Sequence, residues 1–365
     1  MANTPVSIRD VAALAGVSLG TVSNVLNRPE LVAEQTRARV QAAIKELGFI
    51  RNESARQLRA GRSRTIGLVV LDVANPFFTD VARGVEDAAS EAGLAVILCN
   101  SDDQKAKESR YLELLEEHRV QGILITPVAG ADARLARVQR RGTPIVLVDS
   151  RSASRGQCSV SVDDVLGGDL AVSHLLEAGH ERIAFVGGPL STRQVVDRRD
   201  GAIQALERAG RDGADLHVIE TSALNVTAGQ RAGATIAGLP AARRPTAVFC
   251  ANDLLALGLL QEMTTHRISV PGSLAIVGYD DVEFAAAAAV PLSSVRQPRH
   301  QLGRAAAQLL IEEALGDGAH RHRQVVFEPD LVVRRSSPGK PRRPRRPAYP
   351  ADAADAQALA GGVGG

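Results

Sequence analysis

Tryptophan is absent from this 365-residue chain, aromatic residues make up only 3% of it, and cysteines number three. With 45% hydrophobic residues, a folded interior must be built from Ala, Val and Leu rather than from rings. Cys99, Cys158 and Cys250 are odd in number, far apart and without metal-ligand spacing. That fits a reducing compartment better than a disulfide framework and names no metal site. The N-terminal stretch 1–14 lacks the basic start and unbroken apolar core of a secretory signal. No apolar run approaches the ~20 residues a membrane helix needs, so the chain is expected in the cytoplasm with no membrane partner. A Gly-rich phosphate loop ending in Lys-Ser/Thr, a nucleophile elbow and zinc-binding spacing are also missing. No enzymatic activity and no cofactor are expected. His174 and His180 stand six positions apart, not four, and read as helix-surface or C-cap residues.

What is present is an uneven charge. The net +2 conceals ten Lys/Arg against five acids over residues 1–64, a balance of +5. Residues 336–365 carry +3, which leaves −6 on 65–335. A basic head on an acidic body is the charge footprint of a nucleic-acid reader fused to a second function. The length also exceeds one ordinary domain.

The head reads as short helices. Ser7, followed three positions later by Asp10, resembles a capping box. Val11 and Leu14 supply apolar spacing, and Ala15-Gly16-Val17 make a tight turn. Ser18 caps a second helix through Leu26, with Val22, Val25 and Leu26 inward. A third helix carries the stripe Val40, Ala43, Ile44 and Leu47 and stops at Gly48, where a left-handed residue belongs. Helix, three-residue turn and capped helix form a helix-turn-helix, whose second helix can enter the major groove of double-stranded DNA. Its outward residues are Leu19, Gly20, Thr21, Ser23 and Asn24, with Asn27 at its end. Asn can bond adenine bidentately and Leu can touch a thymine methyl. Ser7, Ser18 and the arginines suit phosphate contacts. A helical cap without a ligand is the plain alternative.

Residues 52–61 hold an Asn start (Asn52), a Gly stop and too few residues between for a helix stable alone. Leu58, among Arg56, Arg59, Arg62 and Arg64, suits a minor-groove wedge that kinks the duplex. A linker whose Leu packs on the body is the alternative. From residue 66 onward, β-branched runs alternate with helical stretches: 66–71, 94–98, 122–126, 144–148, 182–186, 246–250 and 274–278. Strands separated by amphipathic helices imply doubly wound parallel sheets, here two α/β lobes. Polar residues recur just after these runs: Asp72 and Asn75, Asp149, Asn252 and Asp280. Ligands of open α/β sheets bind at that end of the strands. A cleft lined by Asp, Asn and Arg with aromatic platforms suits a polyhydroxylated molecule. Singly, each of these residues is also an ordinary helix cap or loop residue, and Arg198 lies in a charged run typical of a solvated face. The tail from Ser336 has no apolar periodicity and reads as disordered.

The head residues Ser7-Ile8-Arg9-Asp10-Val11-Ala12, Ala15-Gly16-Val17-Ser18, Thr21-Val22-Ser23 and Val25-Leu26-Asn27 resemble the signature of the lac repressor/galactose repressor family. So do Leu47-Gly48-Phe49-Ile50-Arg51-Asn52, the hinge-like Ala55-Arg56-Gln57-Leu58 and, in the body, 72–78, 251–253, 278–281 and 296–298. The resemblance implies a transcriptional regulator, a repressor, that reads a pseudo-palindromic operator as a homodimer under allosteric control by a small-molecule effector. It implies a DNA-binding head over 1–51, a hinge helix over 52–62, with Asn52, Ala55, Arg56 and Leu58 on DNA, and a sensor over 63–335. Lobe 1 is expected over 65–163 plus 294–323, lobe 2 over 164–293 plus 324–335, and a tail over 336–365. Many members carry Arg where this chain has Asn24.

The lobes resemble periplasmic sugar-binding proteins. That likeness implies Phe77 and Phe78 against a sugar ring, with Asn75, Asp149, Arg198, Asn252, Asp280 and Gln297 on its hydroxyls, most like a pentose or nucleoside pocket. Ser150 departs from an Arg often found there, and Leu224 from the aromatic of purine-sensing relatives. A body that answers to a partner protein, or a sugar-binding transport protein, are the competing readings.

Overall fold

The computed structural model describes residues 6–49, 63–128, 133–316 and 320–338. The expected hinge contacts Asn52, Ala55, Arg56 and Leu58, and the tail from residue 339, lie outside the described residues.

The head is a three-helix unit: α1 (Ile8–Ala15), α2 (Leu19–Asn27) and α3 (Glu34–Leu47). The Ser7 N–H and hydroxyl both donate to Asp10 Oδ2 at 2.8 Å, fixing the start of α1. Gly16 ends that helix at φ 61°, and the Arg39 guanidinium on α3 donates to the Ala15 and Gly16 carbonyls. That cation is therefore spent on the turn. Val11, Ala15, Val22, Val25, Val40 and Ala43 bury one another in a small core.

The body holds two six-stranded sheets. The first contains β1 (Thr65–Val70), β2 (Ala95–Asn100), β3 (Ile123–Ile125), β4 (Ile145–Val148), β5 (Ser159–Val162) and β11 (Gln324–Phe327), in the order β11-β5-β4-β3-β1-β2. The second contains β6 (Ile183–Gly187), β7 (His217–Glu220), β8 (Ala247–Cys250), β9 (Ala275–Asp280), β10 (Ser293–Arg296) and β12 (Asp330–Val332), in the order β12-β10-β9-β8-β6-β7. All pairings are parallel except β10–β12. In lobe 1, α4 (Pro76–Glu91), α5 (Lys105–Glu117), α6 (Ala133–Arg140) and α12 (Arg299–Leu315) cover the sheet. In lobe 2 the helices are α7 (Asp164–Glu177), α8 (Arg193–Arg208), α9 (Val226–Gly238), α10 (Asp253–Thr265) and the short α11 (Glu283–Ala287).

Five of these strands, β5, β7, β10, β11 and β12, are absent from the sequence expectation. β5 and β10 hide behind buried serines: Ser159, Ser161, Ser293 and Ser294 are all at most 3% exposed. Three of the four hydroxyls find partners inside the fold, as in Ser294 Oγ to Asp253 Oδ1 at 2.7 Å, and Ser161 is buried without one among the described residues, so polarity does not keep these residues out of the interior. β7, β11 and β12 are short edge strands with little apolar pattern.

The same serines displace the expected lobe limits. β10 pairs with β9 (Ser294↔Gly278) and so belongs to lobe 2, while β11 pairs with β5 (Val325↔Val160) and belongs to lobe 1. The chain therefore crosses between lobes after β5, after β10 and after β11. The expected start of the tail at 336 also moves: Ser336 accepts from Ser293 N at 2.8 Å and donates to the Ile276 carbonyl at 2.6 Å. Beside it, His174 Nε2 donates to the Ser337 carbonyl at 2.6 Å, so His174 ties the segment after β12 to α7 instead of facing solvent.

α7 and α8 cross at backbone contact. A Cβ on Gly168 would lie 1.9 Å from the Arg198 carbonyl oxygen, and one on Gly201 would lie 1.9 Å from that of Val165. Only glycine permits this approach. It brings Asp164 on one helix against Arg198 on the other.

Candidate functional site

Two places in the fold gather polar side chains that secondary structure does not consume. The first is the outer face of α2. Val22 and Val25 are buried, while Leu19 is 45% exposed and Gly20, Asn24 and Asn27 are also exposed. Ser18 caps the helix by accepting from Thr21 N at 3.1 Å, and its hydroxyl meets the Thr21 hydroxyl at 2.9 Å. Asn27 Nδ2 donates to the Ser23 carbonyl at 2.7 Å. The expected reading residues thus share one face of a capped helix whose opposite face is core. A helix so placed can lie in a major groove with its side chains at base edges.

The second is a cavity of about 220 Å³ at the carboxyl ends of both sheets. Lobe 1 lines it with Asp72, Asn75, Phe77, Phe78 and Asp149, lobe 2 with Gln194, Arg198, Leu224, Asn252 and Asp280. Helix starts account for three asparagines: Asn75 accepts from Phe77 N at 3.0 Å, Asn225 from Ala228 N at 2.9 Å and Asn252 from Leu255 N at 3.0 Å. The plain reading of Asn75 and Asn252 as caps holds, and the caps point their helix ends at the cavity. Phe77 and Phe78 meet edge to face with ring centroids 5.0 Å apart and root in the lobe 1 core.

Arg198 is at the centre of the lobe 2 wall. Its Nε donates to Asp164 Oδ1 at 2.8 Å, its Nη1 to the Ala251 carbonyl at 2.7 Å, and its Cζ lies 3.7 Å from the centre of the Tyr279 ring. At 4% exposure it is no solvated face; the charged run on α8 has one member turned inward. Asp149, Asp164 and Asp280 are buried around this single guanidinium. Burial pushes Asp280 up to about 6, against the pull of Arg198 and Gln297. Burial, reinforced by Asp164, lifts Asp149 well above the usual carboxylate range while Arg198 opposes it. Asp149 and Asp280 both adopt positive φ, 52° and 103°, which turns their side chains off the strand ends. Asp149 Oδ1 is buried and has no hydrogen-bond partner among the described residues. Such an acceptor awaits a donor. Gln297 is not on the cavity wall: its Nε2 donates to Asp280 Oδ1 at 2.7 Å, so it holds the carboxylate from behind.

The model of the lacI family of bacterial regulatory proteins matches residues 7–52, and that of a periplasmic binding protein-like domain matches 172–337. The ribose operon repressor of Escherichia coli is 36% identical over 332 residues, 91% of this chain and 99% of its own length. The chain belongs to the lacI family. It is a DNA-binding regulator of transcription and not an enzyme, and the competing reading as a transport protein falls with the matched head. A second family relative, the PurR repressor of Photobacterium profundum, is 33% identical over 90% of this chain and 98% of its own. Among solved lacI-family structures, the lac repressor dimer bound to operator and an anti-inducer superposes with a TM-score of 0.78 at 27% identity, covering 92% of this chain and 99% of that one. A regulator from Enterococcus faecium with bound ribose gives 0.69 at 28% identity, over 75% and 98%. Among the described residues, no helix is long and apolar enough to cross a membrane.

Sequence reasoning missed Asp102, Asp103, Thr192, Gln194 and Asn225 on the cavity wall, and Asp164 behind it. Asp164, the partner of Arg198, lies 34 positions away from it, and no local pattern joins the two. Gln194 reaches across the cleft to the Asp149 carbonyl and, at 3.2 Å, to its Oδ2. Its only signal is a place in the first turn of a helix whose start faces the other lobe.

Proposed function

We propose that this family member is a cytoplasmic repressor that reads a pseudo-palindromic operator as a homodimer and is controlled by an uncharged sugar of pentose or nucleoside type. The observation that carries the reading is the excess of buried acids over cations in the cleft. The Arg198 guanidinium faces Asp149, Asp164 and Asp280, and Arg299 adds a second cation at Asp280 from outside the cavity lining, with Asp72 and Asp103 at the rim. Buried acids in excess over cations offer hydrogen-bonding oxygens to hydroxyl groups, and give an anionic phosphate or carboxylate few positive partners. A sugar phosphate or nucleotide is therefore disfavoured against the free sugar. The volume, about 220 Å³, is below the roughly 300–1,000 Å³ of drug-sized sites and fits one small ring better than a disaccharide. Phe77 and Phe78 offer that ring an apolar wall, and Leu224 leaves a nucleobase without an aromatic partner.

Ligand closing the cleft can move the DNA-bound heads only through a difference in affinity between lobe arrangements. The test is fluorescence anisotropy on a labelled fragment of the upstream region at fixed salt, with ribose, other pentoses, hexoses, nucleosides and ribose 5-phosphate. A midpoint shifted by a free pentose or nucleoside and not by the phosphate supports the reading. A shift by the phosphate alone overturns the electrostatic argument. Operator binding indifferent to every compound moves control to a partner protein.

A further inference from the structure

Far from the cleft, at the outer edge of the lobe 1 sheet, four metal-ligating side chains converge. Cys158 immediately precedes β5, Glu313 is in the last turn of α12, and His320 and His322 precede β11. The Cys158 Sγ lies 3.2 Å from His320 Nε2 and 3.7 Å from His322 Nδ1. Glu313 Oε2 lies 3.9 Å from the first of these nitrogens and 3.8 Å from the second. All four atoms fall within 4.8 Å of one another. A tetrahedral zinc ion bound at ~2.0–2.3 Å to N, O and S donors separates them by about 3.3–3.6 Å. The four separations given lie within a few tenths of an ångström of that spacing, and the remaining two are bounded by 4.8 Å.

Two further observations point to a ligand here. Glu313 Oε2 is buried without a hydrogen-bond partner among the described residues, an arrangement that costs free energy unless something fills it. The Arg323 backbone N–H donates to the Cys158 sulfur at 3.3 Å, an outer interaction of the kind that stabilises a metal-bound thiolate.

We propose that Cys158, Glu313, His320 and His322 form a coordinatively closed, structural zinc site that clips β11 to β5. One thiolate, two imidazoles and one carboxylate are a borderline-soft set suited to zinc and unsuited to magnesium or calcium. Four protein ligands leave no open position for substrate, so the site serves stability. It fastens lobe 1 just ahead of the last crossing of the chain into lobe 2.

The test uses the full untagged chain, dialysed into metal-free buffer, with zinc content measured by plasma mass spectrometry and Co²⁺ as the spectroscopic probe. The expected result is one metal per chain, with sulfur-to-cobalt charge transfer and the intense visible bands of tetrahedral cobalt. Cys158→Ser abolishes the charge-transfer band. His322→Ala, at the more exposed ligand, weakens metal affinity beyond the roughly 10–100-fold that loss of an outer partner costs, with the circular dichroism spectrum unchanged. A chelator lowers the melting temperature of the wild type and leaves that of His322→Ala in place. Substoichiometric metal, an octahedral cobalt spectrum or equal binding by wild type and both variants overturns the assignment. None of these readouts involves DNA or effector.

Discussion

The two walls of the cleft are built on different physics. Lobe 1 presents Phe77 and Phe78, rooted in hydrocarbon, and leaves Asp72 and Asp102 toward solvent. Lobe 2 presents an ion network, Asp164–Arg198–Tyr279 with Asp280, buried throughout. An apolar wall tolerates the loss of one contact, because its neighbours still exclude water. A buried ion network does not, because each partner is the reason the next is affordable. The lobe 2 wall should therefore be the fragile and specific half, and the lobe 1 wall the forgiving half.

The most severe break is geometric. Gly201→Val adds a side chain whose first carbon already overlaps the Val165 carbonyl at 1.9 Å, so α7 and α8 must separate and Asp164 leaves Arg198. Calorimetry should show loss of cooperative unfolding in lobe 2, with effector binding gone. A native-like transition would mean the helix pair is not what positions the network. Next comes Arg198→Leu, which strands the buried Asp164. Breaking such a pair costs about 3–5 kcal/mol, visible as a lower denaturant midpoint, and it removes effector binding altogether.

The third test is one of sign. Asp280 titrates at about 6 in the fold, against ~3.9 in an unfolded chain. Between those values the folded state keeps a proton that the unfolded state has lost. This group therefore stabilises the fold fully below about pH 4, loses that contribution, roughly 2–3 kcal/mol in all, as pH rises from about 4 through 6, and adds no further change above about 7. Asp280→Asn should flatten the fall in unfolding free energy from pH 4 to 7 by that amount. An unchanged slope would place the proton on Asp149 instead. Phe78→Leu sharpens the other half: with volume mostly kept, stability should drop by less than ~1.5 kcal/mol and effector affinity by under about tenfold. A loss as complete as that of Arg198→Leu would erase the distinction between the walls.

The same division explains what was legible in the sequence. The head could be read because its determinants are contiguous: Ser7 with Asp10, Gly16, Ser18, and a periodicity that puts Val22 and Val25 inside. The strand-end polar residues were readable for a related reason, since each follows its own apolar run. Gln297 failed because position in a motif does not say whether a side chain faces the cavity or props a neighbour. Asp164 and the Cys158 quartet failed because no spacing rule spans them; Cys158 and His320 are 162 positions apart. β5 and β10 failed because serines, buried here only by tertiary packing, look polar to any local reading. With them went the points at which the chain changes lobes.

The smallest effect probes the space between the walls. Gln194 belongs to lobe 2 and its amide donates to the carbonyl and carboxylate of Asp149 in lobe 1, so this bond joins the two lobes at the cleft without belonging to either core. Gln194→Ala removes an ordinary hydrogen bond, worth about 1 kcal/mol, and should leave the melting temperature nearly unmoved. Its consequence lies in the population of closed lobes. A ligand that needs the closed form is penalised by the fraction lost, and ~1 kcal/mol corresponds to about a fivefold weaker apparent affinity. Titration calorimetry with the effector found by anisotropy measures this directly. Weaker binding at unchanged stability assigns Gln194 to lobe closure. Unchanged affinity would mean that the cleft is held shut by the walls themselves, and the apolar half would then share in closure as well as in contact.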